Sequence, residues 1–119
     1  MTDKADRTSD YIGHMLQAVG RIRMYTNNLD QAAFERDIRT QDAVIRNLEI
    51  LGEAARNVRV HDSAFVAAHP EIPWAMAYRM RNALSHGYAD VDLGTVWNTV
   101  RNDLPPLERR LFALVSGGE

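Results

Sequence analysis

The sequence contains no cysteine and a single lysine, Lys4. The first absence rules out a disulfide framework, a thiolate nucleophile and a cysteine-ligated metal site. No stretch approaches the ~20 unbroken apolar residues needed to span a bilayer. The polar start Met1-Thr2-Asp3-Lys4-Ala5-Asp6-Arg7 has no apolar core of a secretory signal, so the expected location is cytoplasmic, with no membrane association. An excess of positive charge is lacking too. The formal net charge is -2, which argues against a uniformly basic nucleic-acid surface and leaves only a local patch for any RNA contact. Nor is there a strand-period run, an internal repeat or a low-complexity segment.

What is present is helical periodicity. With 119 residues, 45% hydrophobic and 25% charged, the chain is expected to form one domain over residues 1–119. Ile12, Met15, Leu16, Val19, Ile22 and Tyr25 recur at intervals of three and four, predicting a helix from about Asp10 to Thr26 with Thr8 or Ser9 as N-cap. Asn27-Asn28-Leu29-Asp30 reads as a turn and cap, with a short helical turn over Gln31 to Arg36. Val44, Leu48, Leu51, Ala55 and Val58 trace a second long helix, about Thr40 to Val60. Asp62 can cap a short helix from Ser63 to Ala68 that Pro70 ends. Pro73 suits a first helical turn, followed by the stripe Trp74, Ala77, Met80 and Leu84, and Gly87 can close that helix. The last element begins near Asp92 and keeps phase through Leu93, Val96, Trp97, Val100, Leu104, Leu107, Leu111 and Leu114. Pro105-Pro106 make it one kinked helix or two nearly collinear ones. The expected fold is an all-α, up-and-down bundle of four to five main helices plus short helical turns.

Thirteen of the fourteen basic side chains are arginine. Arginine suits planar, bidentate phosphate contacts, although a GC-rich genome produces the same skew. Arg-x4-His occurs twice, as Arg56 to His61 and as Arg81 to His86, where chance predicts roughly 0.4 such pairs. Spacing alone cannot choose between a site and a solvated helix end. In a continuous helix Arg81 and His86 lie about 140° apart, so they meet around a phosphate only if the arginine bends across or the helix loosens before Gly87. Asn82 shares a face with His86, and Ser85 with Arg81. Such a cluster suits metal-free, cofactor-free attack of an RNA 2′-OH on the adjacent phosphate. His86 would be the acid or base, Arg81 would stabilise the charged transition state, and Asn82 and Ser85 would orient the groups. One chain supplies one such histidine, so two copies facing across a twofold axis would complete the acid and base pair.

Arg81, His86 and Tyr88 resemble the Arg-x4-His-x-Tyr signature of the HepT-like branch of the HEPN superfamily, and the tyrosine lowers the random expectation by a further factor of roughly 30. Arg56 to His61 has Ser63 at the third position. Asn47 to Ala55, Ile72-Pro73-Trp74, Asp92 to Trp97 and Asp103-Leu104-Pro105 are similar to the same family, which carries the resemblance from about Asp10 to Leu107. The resemblance implies a homodimeric ribonuclease toxin paired with a minimal nucleotidyltransferase antitoxin that transfers AMP to the signature tyrosine, here Tyr88. A phosphate placed there would sit beside Arg81 and His86 and obstruct RNA. The alternative is a non-catalytic helical module that binds the nucleotidyltransferase and is modified by it.

Glu49 and Glu53, flanked by Arg46 and Arg56, read as surface ion pairs, with Glu53 reaching across the bundle to orient Arg81 as the functional alternative. His14, His61 and His69 lack ligand spacing with carboxylates, so no metal site is expected. Trp74 and Trp97 sit in apolar stripes and read as core or interface rings.

Overall fold

The computed structural model describes residues 4–78 and 91–117, and they form helices and connecting turns with no strand among them. In chain order the elements are α1 (Lys4–Thr26), α2 (Gln31–Glu35), α3 (Ile38–His61), α4 (Ser63–Ala68), a helical segment over residues 74–78, α5 (Leu93–Asn98), a π-helical turn (Thr99–Asp103) and α6 (Leu104–Ser116).

Helices α1 and α3 form the spine, packed against each other along most of their length. The α1 residues Ile12, Met15, Val19 and Ile22 are buried, as the spacing predicts. The next core position is Thr26 rather than Tyr25, which is exposed. The turn of the helix selects one of the two. Thr26 tolerates burial because its hydroxyl donates to Ile22 O at 2.8 Å.

The first helix begins at Lys4, six residues before the expected Asp10. Thr8 is therefore inside the helix and not its cap. Its Oγ1 lies 2.9 Å from Lys4 O and 2.7 Å from Asp62 Oδ2, so one hydroxyl serves its own helix and the far end of α3. Asp62 also accepts from Phe65 N at 3.3 Å and so caps α4, the role its position predicts.

α3 is buried over a wide arc. Val44, Leu48, Leu51, Ala55 and Val58 follow the expected stripe, and Gln41, Ile45, Asn47 and Ala54 extend it. Gln41 donates to Phe34 O at 2.9 Å, tying α3 to the end of α2. Phe34 is wholly buried, with its ring centroid 5.2 Å from that of Trp97. Burying such a ring contributes about 1.5–3 kcal/mol. By contrast the solvent-facing pair Arg23–Glu108, at 3.1 Å, contributes at most about 1 kcal/mol, so packing and not surface charge holds the ends of the bundle in place.

At Pro105-Pro106, where one kinked helix or two nearly collinear ones are expected, a π turn leads into α6. Leu104 N–H bonds Thr99 O, five residues back, and Pro105 follows at the start of α6, where a missing N–H costs least. The apolar phase survives, with Val100, Leu104, Leu107 and Leu111 all buried.

Asp37, partly buried, and Asp92, exposed, cap α3 and α5 with their carboxylates. Asp37 is held below its ordinary value of 3.8 by the Thr40 hydroxyl and amide, and Asp92 by the Thr95 hydroxyl and the Gly94 amide. A folded-state pKa below the unfolded one means stability present at neutral pH and lost as acid titrates the carboxylate through its lowered value. The double variant Asp37→Asn, Asp92→Asn should flatten the fall in urea midpoint below about pH 5. An acid limb identical to the parent's would exclude these caps as its source.

Candidate active site

The signature residues Arg81, Asn82, Ser85, His86 and Tyr88, with Gly87, lie outside the described residues. The structure does describe the chain that leads into them. Ile72, Trp74 and Ala77 are buried, Trp74 Nε1 donates to His69 O at 3.0 Å, and the Trp74 ring meets Phe65 edge-on at 6.3 Å. Ala77 N bonds Pro73 O at 3.3 Å, the first helical bond after the proline. Tyr78 lies under the Arg59 guanidinium, 4.4 Å from ring centroid to Cζ. The entrance to the signature is thus clamped onto α4 and the C-terminal half of α3 by packing, one indole hydrogen bond and one cation–π contact worth about 0.5–1 kcal/mol at an exposed site.

Beyond the signature the chain is described again from Val91. Asp92 Oδ1 accepts from Gly94 N at 2.9 Å, and Trp97 is buried against Phe34. Both tryptophans are therefore core rings, as their stripes predict.

Glu53, the remaining candidate, lines an open cleft of about 330 Å³ between α1 and α3. The polar walls are His14, Arg46, Glu49, Glu53 and Asn57, and the floor is Ile50 and Ala54. The α3 members fall at intervals of three and four because they share one side of that helix. His14 comes from α1. Of the ion pairs expected on this face, Arg56 Nη1 to Glu53 Oε1 forms at 3.8 Å with both side chains more than a third exposed. The cleft therefore combines two carboxylates, a guanidinium, an amide and an imidazole above an apolar base.

Residues assigned no role on this face from the sequence join it through the fold. His14 and Asn57 come together only once α1 and α3 pair antiparallel. The Tyr11 ring, beside His14, stacks on His61 at 6.0 Å and 23°. The signal that points to this pairing is the matching apolar stripes of the two long helices, which bury each other when the chain turns back through α2. His69 Nδ1 lies 3.0 Å from Glu71 Oε2, away from this cleft. Glu71 is held below its ordinary value by its own backbone amide first and by His69 second. Among the described residues no group of three or more His, Asp or Glu side chains converges as a metal site, and no helix is long and apolar enough to cross a membrane.

Comparison with known proteins gives consistent matches. Residues 15–114 match the ribonuclease HepT-like family. A Thermococcus cleftensis protein named as a probable ribonuclease HepT is 41% identical over 105 residues, 88% of this chain and 93% of that one. A Methanocaldococcus jannaschii protein named as a gamma-glutamylcyclotransferase and candidate RNase is 34% identical over 105 residues, 88% of this chain but 46% of its own length. A second protein of that organism, named as a candidate RNase, is 33% identical over 95 residues, 80% of this chain and 76% of that one. No solved structure matches the chain.

The exposure of the Glu53–Arg56 pair sets its energetic scale. Arg56→Ala should change the unfolding free energy by less than about 0.5 kcal/mol, read from urea denaturation at neutral pH. A loss several times larger would make the pair part of the scaffold.

Proposed function

This chain belongs to the ribonuclease HepT-like family, and we propose that it is a metal-independent endoribonuclease, the toxin of a toxin and nucleotidyltransferase-antitoxin pair, with Arg81 and His86 as its catalytic pair. The observation that carries this reading is that the family match spans residues 15–114 and so contains the complete signature Arg81, His86 and Tyr88. The whole is proposed as one catalytic domain, residues 1–119, that works as a homodimer on RNA.

In the proposed reaction His86 removes the proton of a ribose 2′-OH. The 2′-oxygen forms a bond to the adjacent phosphorus, and the bond from phosphorus to the 5′-oxygen of the next nucleotide breaks. The protonated His86 of the second copy returns a proton to that leaving oxygen. Arg81 stabilises the extra charge on the pentacovalent phosphorus, where a fixed guanidinium acts most strongly. Asn82 and Ser85 orient the phosphate and imidazole. Glu53 serves as a positioning residue for Arg81, a role supported by its place in an open polar cleft and not in the packed core.

Control follows from Tyr88. Its phenolic oxygen attacks the α-phosphorus of ATP on the nucleotidyltransferase partner, pyrophosphate leaves, and the AMP ester places a negative phosphate two residues from His86. That charge competes for Arg81 and obstructs RNA.

Purified protein should cut RNA in the presence of a chelator, and Arg81→Ala or His86→Ala should lower the rate by about 10²-fold or more without shifting the urea midpoint. Cleavage that survives both changes would sink the assignment. Tyr88→Phe should block transfer of labelled AMP from ATP by the partner while leaving the nuclease active and uncontrolled. If no RNA is cut but Tyr88 is still modified, the chain is instead a non-catalytic module that docks the nucleotidyltransferase, the reading favoured by the net charge of -2.

A further inference from the structure

We propose that the cleft between α1 and α3 is a subsite for one unpaired base of the RNA, with His14 as its stacking ring; the proposal rests on the ribonuclease reading above. Its volume of about 330 Å³ is at the lower end of the ~300–1,000 Å³ range of small-molecule sites and suits a single base. Ile50 and Ala54 supply the apolar surface that a base needs beneath it, and the exposed imidazole of His14 forms a wall against which its π-face can lie.

The polar groups set which part of a nucleotide faces the cleft. The carboxylates of Glu49 and Glu53 on the cleft wall have only acceptor oxygens, which match the amino and ring N–H groups of a base and offer no donor to a phosphate. Exposed Arg46 at the rim can meet the phosphate that links this base to the next. The base therefore enters and the backbone stays outside. Tyr11, its ring between His14 and His61, extends the aromatic edge along the seam, and His61 is exposed at its end. A protein of net negative charge can hold RNA in this way, because stacking supplies part of the affinity that a basic surface would otherwise provide.

The test measures RNA affinity and steady-state cleavage for the full-length protein, His14→Ala and Asn57→Ala, with a fluorescent single-stranded 12-mer and the same backbone made abasic. Urea midpoints within error of the parent's establish that each variant is folded. His14→Ala should weaken 12-mer binding roughly 5- to 50-fold and raise KM in parallel, with a much smaller effect on kcat. On the abasic strand the parent and His14→Ala should bind alike, since no ring remains to stack. Equal binding of the 12-mer by parent and both variants would overturn the subsite while leaving a cleaving parent as a ribonuclease. A parent that binds but does not cut, with variants that lose binding, would overturn the ribonuclease reading and keep the subsite. A parent that neither binds nor cuts would overturn both.

Discussion

The antiparallel packing of α1 on α3 is the constraint from which the remaining described structure follows. Met15, Val19 and Ile22 on one helix and Val44, Leu48, Leu51 and Val58 on the other are almost completely removed from water. Each buried aliphatic side chain contributes about 1.5–3 kcal/mol. The Thr8–Asp62 contact then ties the start of α1 to the end of α3 and favours one register, while Gln41 ties the start of α3 to α2 through the Phe34 carbonyl. Register matters here because sliding one helix by a turn would separate His14 from Asn57 and dissolve the cleft.

The two ends have different duties. At the Asp62 end, α4 and the Trp74 indole brace the stretch that enters the signature. At the other, Phe34 and Trp97 join α2 to α5, and Arg101 reinforces that joint by lying over the Trp97 ring and donating to Leu29 O. The described chain on either side of the signature, up to Tyr78 and from Val91 onward, is thus tied into the helical scaffold at each end.

Much of the helical scaffold was legible in the residues. The stripe Ile12, Met15, Val19, Ile22 gave the buried face of α1, and Asp30, Asp62 and Asp92 stand at the helix starts that their side chains suggest. Where the reading differed, a distant partner decided. Nothing near Thr8 in the chain reveals that Asp62 will claim its hydroxyl, so it reads as a cap although it sits within the helix. Thr26 and Tyr25 satisfy the same spacing, and only the orientation of α1 on α3 separates them. Pro105 and Pro106 announce a break but not that a π turn would carry it. The signature was legible through family resemblance alone, since the same Arg-x4-His spacing also occurs at Arg56 to His61 and does not by itself mark a site. The cleft was not, because His14 and its α3 partners belong to helices whose pairing is a property of the fold.

The two tryptophans occupy these opposite ends in chemically distinct surroundings. Trp74 gives its N–H to a backbone carbonyl near Phe65, whereas Trp97 lies between a phenyl ring and a guanidinium. Their emission must therefore differ in wavelength and quenching. The molecule carries two built-in optical reporters, one for each end of the bundle, and a single tryptophan-to-phenylalanine exchange isolates either. Local opening at the entrance to the signature can then be followed separately from opening at the α2–α5 joint, without attaching any foreign label.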